Sequence, residues 1–244
     1  MALRLVQVNF KARDDSALGR FWADALDWGV SSEGPGVTNV EPRGFEWPDP
    51  VAVCVDVVSV PDPETVAYRA HLDLATTSAA HQAELVARLR ELGATAADSG
   101  QDEPWSVLAD PEGNEFRVLE PRPVYSDTGP IAAVVVDCED PRAMARFWDA
   151  ALDWTLHELT DDRARFRSAS GVGPYLEFVR TPDVASVRTR VHLDVMPSAG
   201  DDQSAEVARL RALGATDADI GQGDVPWVVL ADIEGNEFCV LAPR

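Results

Sequence analysis

Residues Trp105 to Arg122 read WSVLADPEGNEFRVLEPR, and Trp227 to Arg244 read WVVLADIEGNEFCVLAPR. The chain carries the same phrase twice. Each copy has the pattern of a β-hairpin, with VLAD as the first arm and EF-x-VL as the second. Pro111 pre-sets a turn dihedral and Gly113 supplies a relaxed one, whereas the second copy has Ile233 in place of the proline. A lone hairpin of this length is marginal in water. Each copy must therefore close a larger repeated unit.

Matching outward from the hairpins defines that unit. FWADALDW at Phe21–Trp28 returns as FWDAALDW at Phe147–Trp154, and HLDL at His71–Leu74 returns as HLDV at His192–Val195. The spacing between copies is 126 at the first pair and 121 at the second. The second copy has thus lost about five residues, which the composition places in the Gly/Pro-rich stretch from Glu33 to Pro48. Two domains result, residues 1–121 and 131–244, joined by a linker at 122–130 inside PRPVYSDTGP. Both are of ordinary domain size.

Within the first half, Leu5–Ala12 alternates as a strand does. Asp14, Asp15 and Ser16 are helix-start residues, and Leu18, Phe21, Trp22, Ala25 and Leu26 follow as an apolar stripe at helical spacing. A loop, a strand at Val51–Val60, a strand at His71–Ala75 and a helix at Ala79–Leu92 come next, the helix stopped by Gly93. The second half repeats the order: strand Ile131–Asp137, helix Pro141–Leu152, strands near Phe166 and at Tyr175–Val179, strand Val191–Val195, helix Gln203–Leu213 and stop Gly214. This is an α+β arrangement, with helices on one face of each sheet and polar residues at alternate positions on the other. Such a sheet curves into a cup.

Composition narrows the function. The 244 residues carry a formal charge of −21, which argues against nucleic acid and anionic membrane as partners because phosphate binding needs basic patches. The start, MALRLVQVNF, has neither a secretory layout nor a spanning apolar run. Cys54, Cys138 and Cys239 are scattered, which fits a reducing cytosol better than a disulfide framework. Ser-His-Asp triads, phosphate loops and Cys-x-x-Cys pairs are absent as motifs.

The FW…ALDW helix after the first strand and the LGAT…W-x-VLAD-x-EGNEF ending, each present twice, resemble the vicinal oxygen chelate superfamily of glyoxalases, bleomycin-resistance proteins and extradiol dioxygenases. The resemblance covers all of the chain except the linker. It implies two tandem domains, each built from two βαβββ modules forming a sheet cup with helices outside. It speaks to fold more than reaction, since one fold hosts many chemistries. In that superfamily a cup can hold a divalent metal at four positions. Carried over, the first half offers Gln7, Asp56, His71 and Arg117, and the second offers Ala133, Glu177, His192 and Cys239. Arg117 is a fixed cation where a carboxylate is expected, and Ala133 has no ligand atom.

The resemblance implies a protein that binds an organic small molecule without a tightly held metal, by sequestration or by metal-free acid–base chemistry. A metal-dependent lyase or isomerase like glyoxalase I is the alternative, and a structural or interaction module without a ligand pocket is a third. His71, His192 and Glu177 are the candidate catalytic groups. Gln7, Asn9, Asp56, Trp105, Arg117 and Trp227 are the candidate ligand contacts. Arg117 with Trp105 favours an aromatic anion, unless Arg117 pairs internally with Glu115 or Asp56. No metal is expected, with Glu177, His192 and Cys239 as the fallback ligands. The tandem copies can act as a monomeric pseudo-dimer or as a homodimer. The sequence leaves open whether modules pair within a half or exchange across the linker. Exchange regroups the positions as Gln7, Asp56, His192 and Cys239 in one cup, with Ala133, Glu177, His71 and Arg117 in the other.

Overall fold

The computed structural model describes residues 3–46, 49, 52–61, 69–97, 103–182 and 190–243. The first half runs β1 (Leu3–Ala12), α1 (Asp15–Leu26), β2 (Gly29–Gly34), β3 (Val37–Glu41), β4 (Cys54–Ser59), β5 (Ala70–Leu74), α2 (Ala79–Glu91), β6 (Thr95–Ala96), β7 (Ser106–Ala109) and β8 (Glu115–Val118). The second half runs β9 (Ile131–Cys138), α3 (Pro141–Ala151), β10 (Thr155–Leu159), β11 (Arg163–Arg167), β12 (Tyr175–Arg180), β13 (Val191–Pro197), α4 (Gln203–Leu213), β14 (Thr216–Asp217), β15 (Val228–Ala231) and β16 (Glu237–Val240).

Part of the stretch expected as a loop is a hairpin. β2 and β3 pair antiparallel around the Gly34–Gly36 turn, where Gly36 takes a φ of +80° that side-chain-bearing residues rarely adopt. The five-residue difference between copies falls after that hairpin. Twelve residues, 42–53, join β3 to β4, whereas seven, 168–174, join β11 to β12. Val51, expected to open the β4 strand, and Trp47 and Pro48 of the expected loop lie outside the described residues.

Helix ends are set by short polar side chains. Asp14 accepts from the Ala17 amide, Ser78 from His81, Asp140 from Arg142 and Ala143, and Asp202 from Ser204. Each such cap is worth about 1 kcal/mol.

The modules exchange. One eight-stranded sheet has the order β14-β15-β16-β13-β1-β4-β3-β2, and the other β10-β11-β12-β9-β5-β8-β7-β6. Each sheet therefore takes one module from each half, joined by the antiparallel pairs β1–β13 and β5–β9. We call the concave faces cup A, on the β1–β13 sheet, and cup B, on the β5–β9 sheet. The helical faces of both sheets share one continuous apolar core that includes the fully buried Trp22, Trp148, Phe116 and Phe238.

The repeated phrases meet in that core. The Trp22 indole N–H donates to Asp110 of the first ADPEGN turn at 3.3 Å, and Trp148 donates to Asp232 of the second at 3.4 Å. The turn glutamates then clamp the opposite sheet. Glu112 accepts from the Arg13 and Asp14 amides and pairs with Arg190 at 2.8 Å, while Glu234 accepts from the Glu139 and Asp140 amides and pairs with Arg69 at 3.7 Å. The two halves are thus interlocked through their turns as well as their strands.

Candidate functional site

Exchange redistributes the expected residues. Gln7, Asn9, Asp56, His192 and Cys239 lie on strands of cup A, while His71, Arg117, Glu177 and Ala133 lie on strands of cup B. Two expectations fall with this. Gln7 and Asp56 do not share a cup with His71 and Arg117. The fallback metal set of Glu177, His192 and Cys239 is divided between the two sheets. The physical reason is the near-identity of HLDL and HLDV: β1 finds an equivalent partner in either half, and the fold seats it on β13.

In cup A, Asn9 stands opposite His192 on β13 and beside Asp56 on β4. Gln7 stands opposite Asp194, after a register shift between Leu5 and Gln7. The Gln7 amide nitrogen donates to Asp56 and, at 3.2 Å, to Asp194, so one side chain bridges carboxylates from the two halves. Burial pushes the Asp56 carboxyl up to about 6, helped by the neighbouring Asp194 charge and opposed by hydrogen bonds from Asn39 and Gln7. Cys239 Sγ lies 3.4 Å from His192 Nε2. Burial, together with Asp194, raises this thiol far above its ordinary value, so it is a protonated small side chain rather than a nucleophile. Asn9 Oδ1, His192 Nδ1 and Asp194 Oδ1 are buried without a hydrogen-bond partner among the described residues. Such orphans in a protein interior call for an explanation, and a ligand is one.

Cup B is built differently. The segment expected as a plain linker folds into a 3-10 turn, Pro123–Tyr125, and delivers the Tyr125 side chain into the cup. Its hydroxyl donates to Glu177 Oε1 at 2.8 Å, and the Thr128 hydroxyl ties down the Tyr125 carbonyl at 2.9 Å. Glu177 is further held by Arg165 at 2.8 Å and Arg163 at 3.4 Å, and Arg165 also pairs with Glu158 at 2.9 Å. Arg167 lies over the Tyr175 ring at 4.7 Å. Glu177 is therefore spent on a buried ion-pair network, which removes it as a free catalytic base. His71 Nε2 lies 3.4 Å from Asp73, matching His192 and Asp194 at 3.4 Å in the other cup.

Arg117 makes neither a hydrogen bond nor an ion pair among the described residues. The expected pairing with Glu115 or Asp56 is not formed, since Asp56 sits on the other sheet and Glu115 is exposed. Its guanidinium lies 5.7 Å from the Trp105 ring centroid, and that of Arg122 lies 5.6 Å from the same ring. Trp227 is half-buried just before β15, Cys239 holds the strand position equivalent to Arg117, opposite Val229, and Arg244, the counterpart of Arg122, lies outside the described residues.

The two cups differ as metal hosts. Cup B offers Ala133 and Arg117 at superfamily ligand positions, and its one carboxylate there is already neutralised, so its donor set does not fit a cation. Cup A brings one ligand atom each from His192, Asp194 and Cys239 within 4.8 Å of one another, a donor set that zinc accepts. The sequence points to His192 and Cys239 as ligands and, by strand parity, puts Asp194 of the repeated His-Leu-Asp on the same inner face without marking it as a ligand. Tyr125 and Arg165 were missed. An isolated tyrosine in a polar linker and the alternation RARFR were their only traces.

A cleft of about 930 Å³ opens next to cup B, with Arg122 and Tyr125 among its lining residues. It is bounded by the end of α1, by the segment after β5, by α2 and by the linker.

Among curated proteins, none matches the sequence. In solved structures the chain is similar to glyoxalase I from Zea mays, at 13% identity and a TM-score of 0.65 over 99% of this chain and 92% of that one. It is also similar to a putative dioxygenase from Bacillus subtilis, at 11% identity and a TM-score of 0.63 over 98% and 84%. At such identities the likeness is one of fold. The family model described as a glyoxalase-like domain matches twice, over residues 7–119 and 133–241. The chain therefore belongs to the glyoxalase-like domain family of the vicinal oxygen chelate superfamily, and carries that domain in tandem.

Proposed function

We propose that the chain binds a small carbonyl-bearing organic molecule in cup A and exchanges a proton with it through Asp56, chemistry of the lyase or isomerase type. The observation that carries this reading is the set of orphaned polar atoms on Asn9, His192 and Asp194 beside a carboxyl poised near 6. The Asn9 side-chain amide nitrogen would orient a carbonyl oxygen, while Gln7, whose N–H groups go to Asp56 and Asp194, would hold the acid in place. Asp56, ionised at neutral pH yet still basic enough to take a proton, would act on the carbon next to it. One chain completes both cups, which supports action as a monomer, and the buried free cysteines support a cytosolic setting.

Small ketones, ketoacids and hydroxyaldehydes incubated in deuterated buffer give the test, with loss of the α-proton signal followed by proton NMR. The proposal expects exchange with a subset of the panel, rising through pH 6 and lost in Asp56→Asn. Binding in cup A with no exchange would leave sequestration as the function. Exchange untouched by Asp56→Asn would remove Asp56 from the mechanism.

A metal-assisted reading is favoured by one observation, the close approach of His192, Asp194 and Cys239. Those three residues would hold a divalent cation, which would polarise a substrate oxygen. Metal analysis of chelator-free protein, compared with Cys239→Ser, decides whether this set is occupied.

A further inference from the structure

We propose that cup B is a second ligand site, for an aromatic carboxylate, formed by Arg117, Trp105 and Arg122 beside the Tyr125 wall. It is independent of the chemistry proposed for cup A.

Charge accounting isolates Arg117. The other arginines facing cup B are engaged: Arg165 and Arg163 by Glu177, Arg167 by the Gly173 carbonyl at 2.8 Å, and Arg122 by Glu120 at 2.7 Å. Of the acids, Glu120 is on Arg122 and Glu177 is in the network with Tyr125, while Asp73 lies 3.4 Å from His71 with its Oδ1 buried and not hydrogen-bonded among the described residues. Arg117 remains half-buried beside Asp73 of β5, yet it forms no ion pair or hydrogen bond with any described residue, in a chain with a formal charge of −21. A guanidinium fixed over an indole has lost much of its freedom already, so it is pre-organised for a planar two-pronged contact with a carboxylate.

The aromatic half of the ligand follows from the surroundings. Trp105 packs on a small apolar cluster inside cup B, made of Leu119, Tyr125, Ala132, Ala133, Val135 and Tyr175. That cluster is separate from the main core, and it offers a flat ring an apolar edge next to the cation. The equivalent of Arg117 in cup A is Cys239, so the site has no counterpart there. Its two arginines also come from different structural pieces. Arg117 sits on β8, and Arg122 begins the linker turn that carries Tyr125.

Calorimetric titration of the full chain with 2-naphthoate and with 2-naphthamide tests the proposal. Acid and amide have the same shape and differ in charge. The acid should bind measurably and the amide far more weakly. Arg117→Ala should weaken the acid by about 30-fold or more and erase its advantage over the amide. Trp105→Ala should weaken both ligands together. If Arg117→Ala fails to fold, Arg117→Gln carries the same expectation. Asp56→Asn should leave 2-naphthoate affinity unchanged, so failure of the cup A proposal and failure of this one are read separately. Equal binding of acid and amide, unchanged acid affinity in both Arg117 variants, or no acid binding at millimolar concentration would overturn the site.

Discussion

Trp22 donates its indole proton to Asp110 at 3.3 Å, and Trp148 repeats the contact with Asp232 at 3.4 Å. This is why the FW…ALDW helix and the ADxEGN turn occur together in both copies. Asp110 also accepts from the Glu112 and Asn114 amides and from the Asn114 side chain, so one carboxylate satisfies four donors. Asp110→Ala leaves the buried donors among them without a partner. We expect a loss of about 3 kcal/mol or more in urea unfolding, with Asp110→Asn losing less because one acceptor oxygen remains. Losses below 0.5 kcal/mol would show the contact to be incidental.

Asp56 makes stability depend on pH with a definite sign. Its folded-state pKa of about 6 lies above its ordinary value of 3.8. The folded state therefore holds more protons than the unfolded state between those values, and stability falls as pH rises through that window. A two-unit difference amounts to about 3 kcal/mol at most. Asp56→Asn removes this slope and should melt higher than the parent protein at pH 7. An unchanged slope would place the titration elsewhere.

Glu177 holds cup B together. Glu177→Gln breaks a buried ion-pair network and leaves Arg165 and Arg163 undercompensated, with an expected loss of about 3–5 kcal/mol. Tyr125→Phe removes only the hydroxyl contact and should cost about 1–2 kcal/mol. Thermal melts of both variants check the order. A Tyr125→Phe effect as large as that of Glu177→Gln would mean the phenol, rather than the arginines, carries the network.

Exchange of modules makes couplings that cross the halves. A double-mutant cycle on Gln7→Ala and Asp194→Asn should give an interaction energy of 0.5 kcal/mol or more, whereas Gln7→Ala with Asp73→Asn should be additive within about 0.3–0.5 kcal/mol. The reverse pattern would fit pairing within halves.

Most elements were legible in the sequence because each has a local cause. The stripe at Leu18–Leu26 has helical period, the acids at Asp14 and Asp140 cap the helices they precede, and the repeat fixes the order of strands. The partner of β1 was not legible. HLDL and HLDV present the same residues to it, and nothing local distinguishes them. Site residues followed suit. Gln7, Asp56, His192 and Cys239 were nameable from position, and only pairing decides that they meet. The hairpin at Gly29–Glu41 was hidden by its glycines and Pro35, which read as a loop although they form its turn. Tyr125 was hidden because a linker's composition says nothing of where one aromatic side chain points.

Cup A, on this reading, is a shared proton site made by both halves. Carboxyl-carbon NMR titration of Asp56 tests it most directly. A midpoint near 6 is expected for the intact protein, and a lower midpoint in Asp194→Asn, because the Asp194 charge contributed by the second half raises it. An Asp56 midpoint near 4, or one indifferent to Asp194→Asn, would rule out a proton site shared by the two halves.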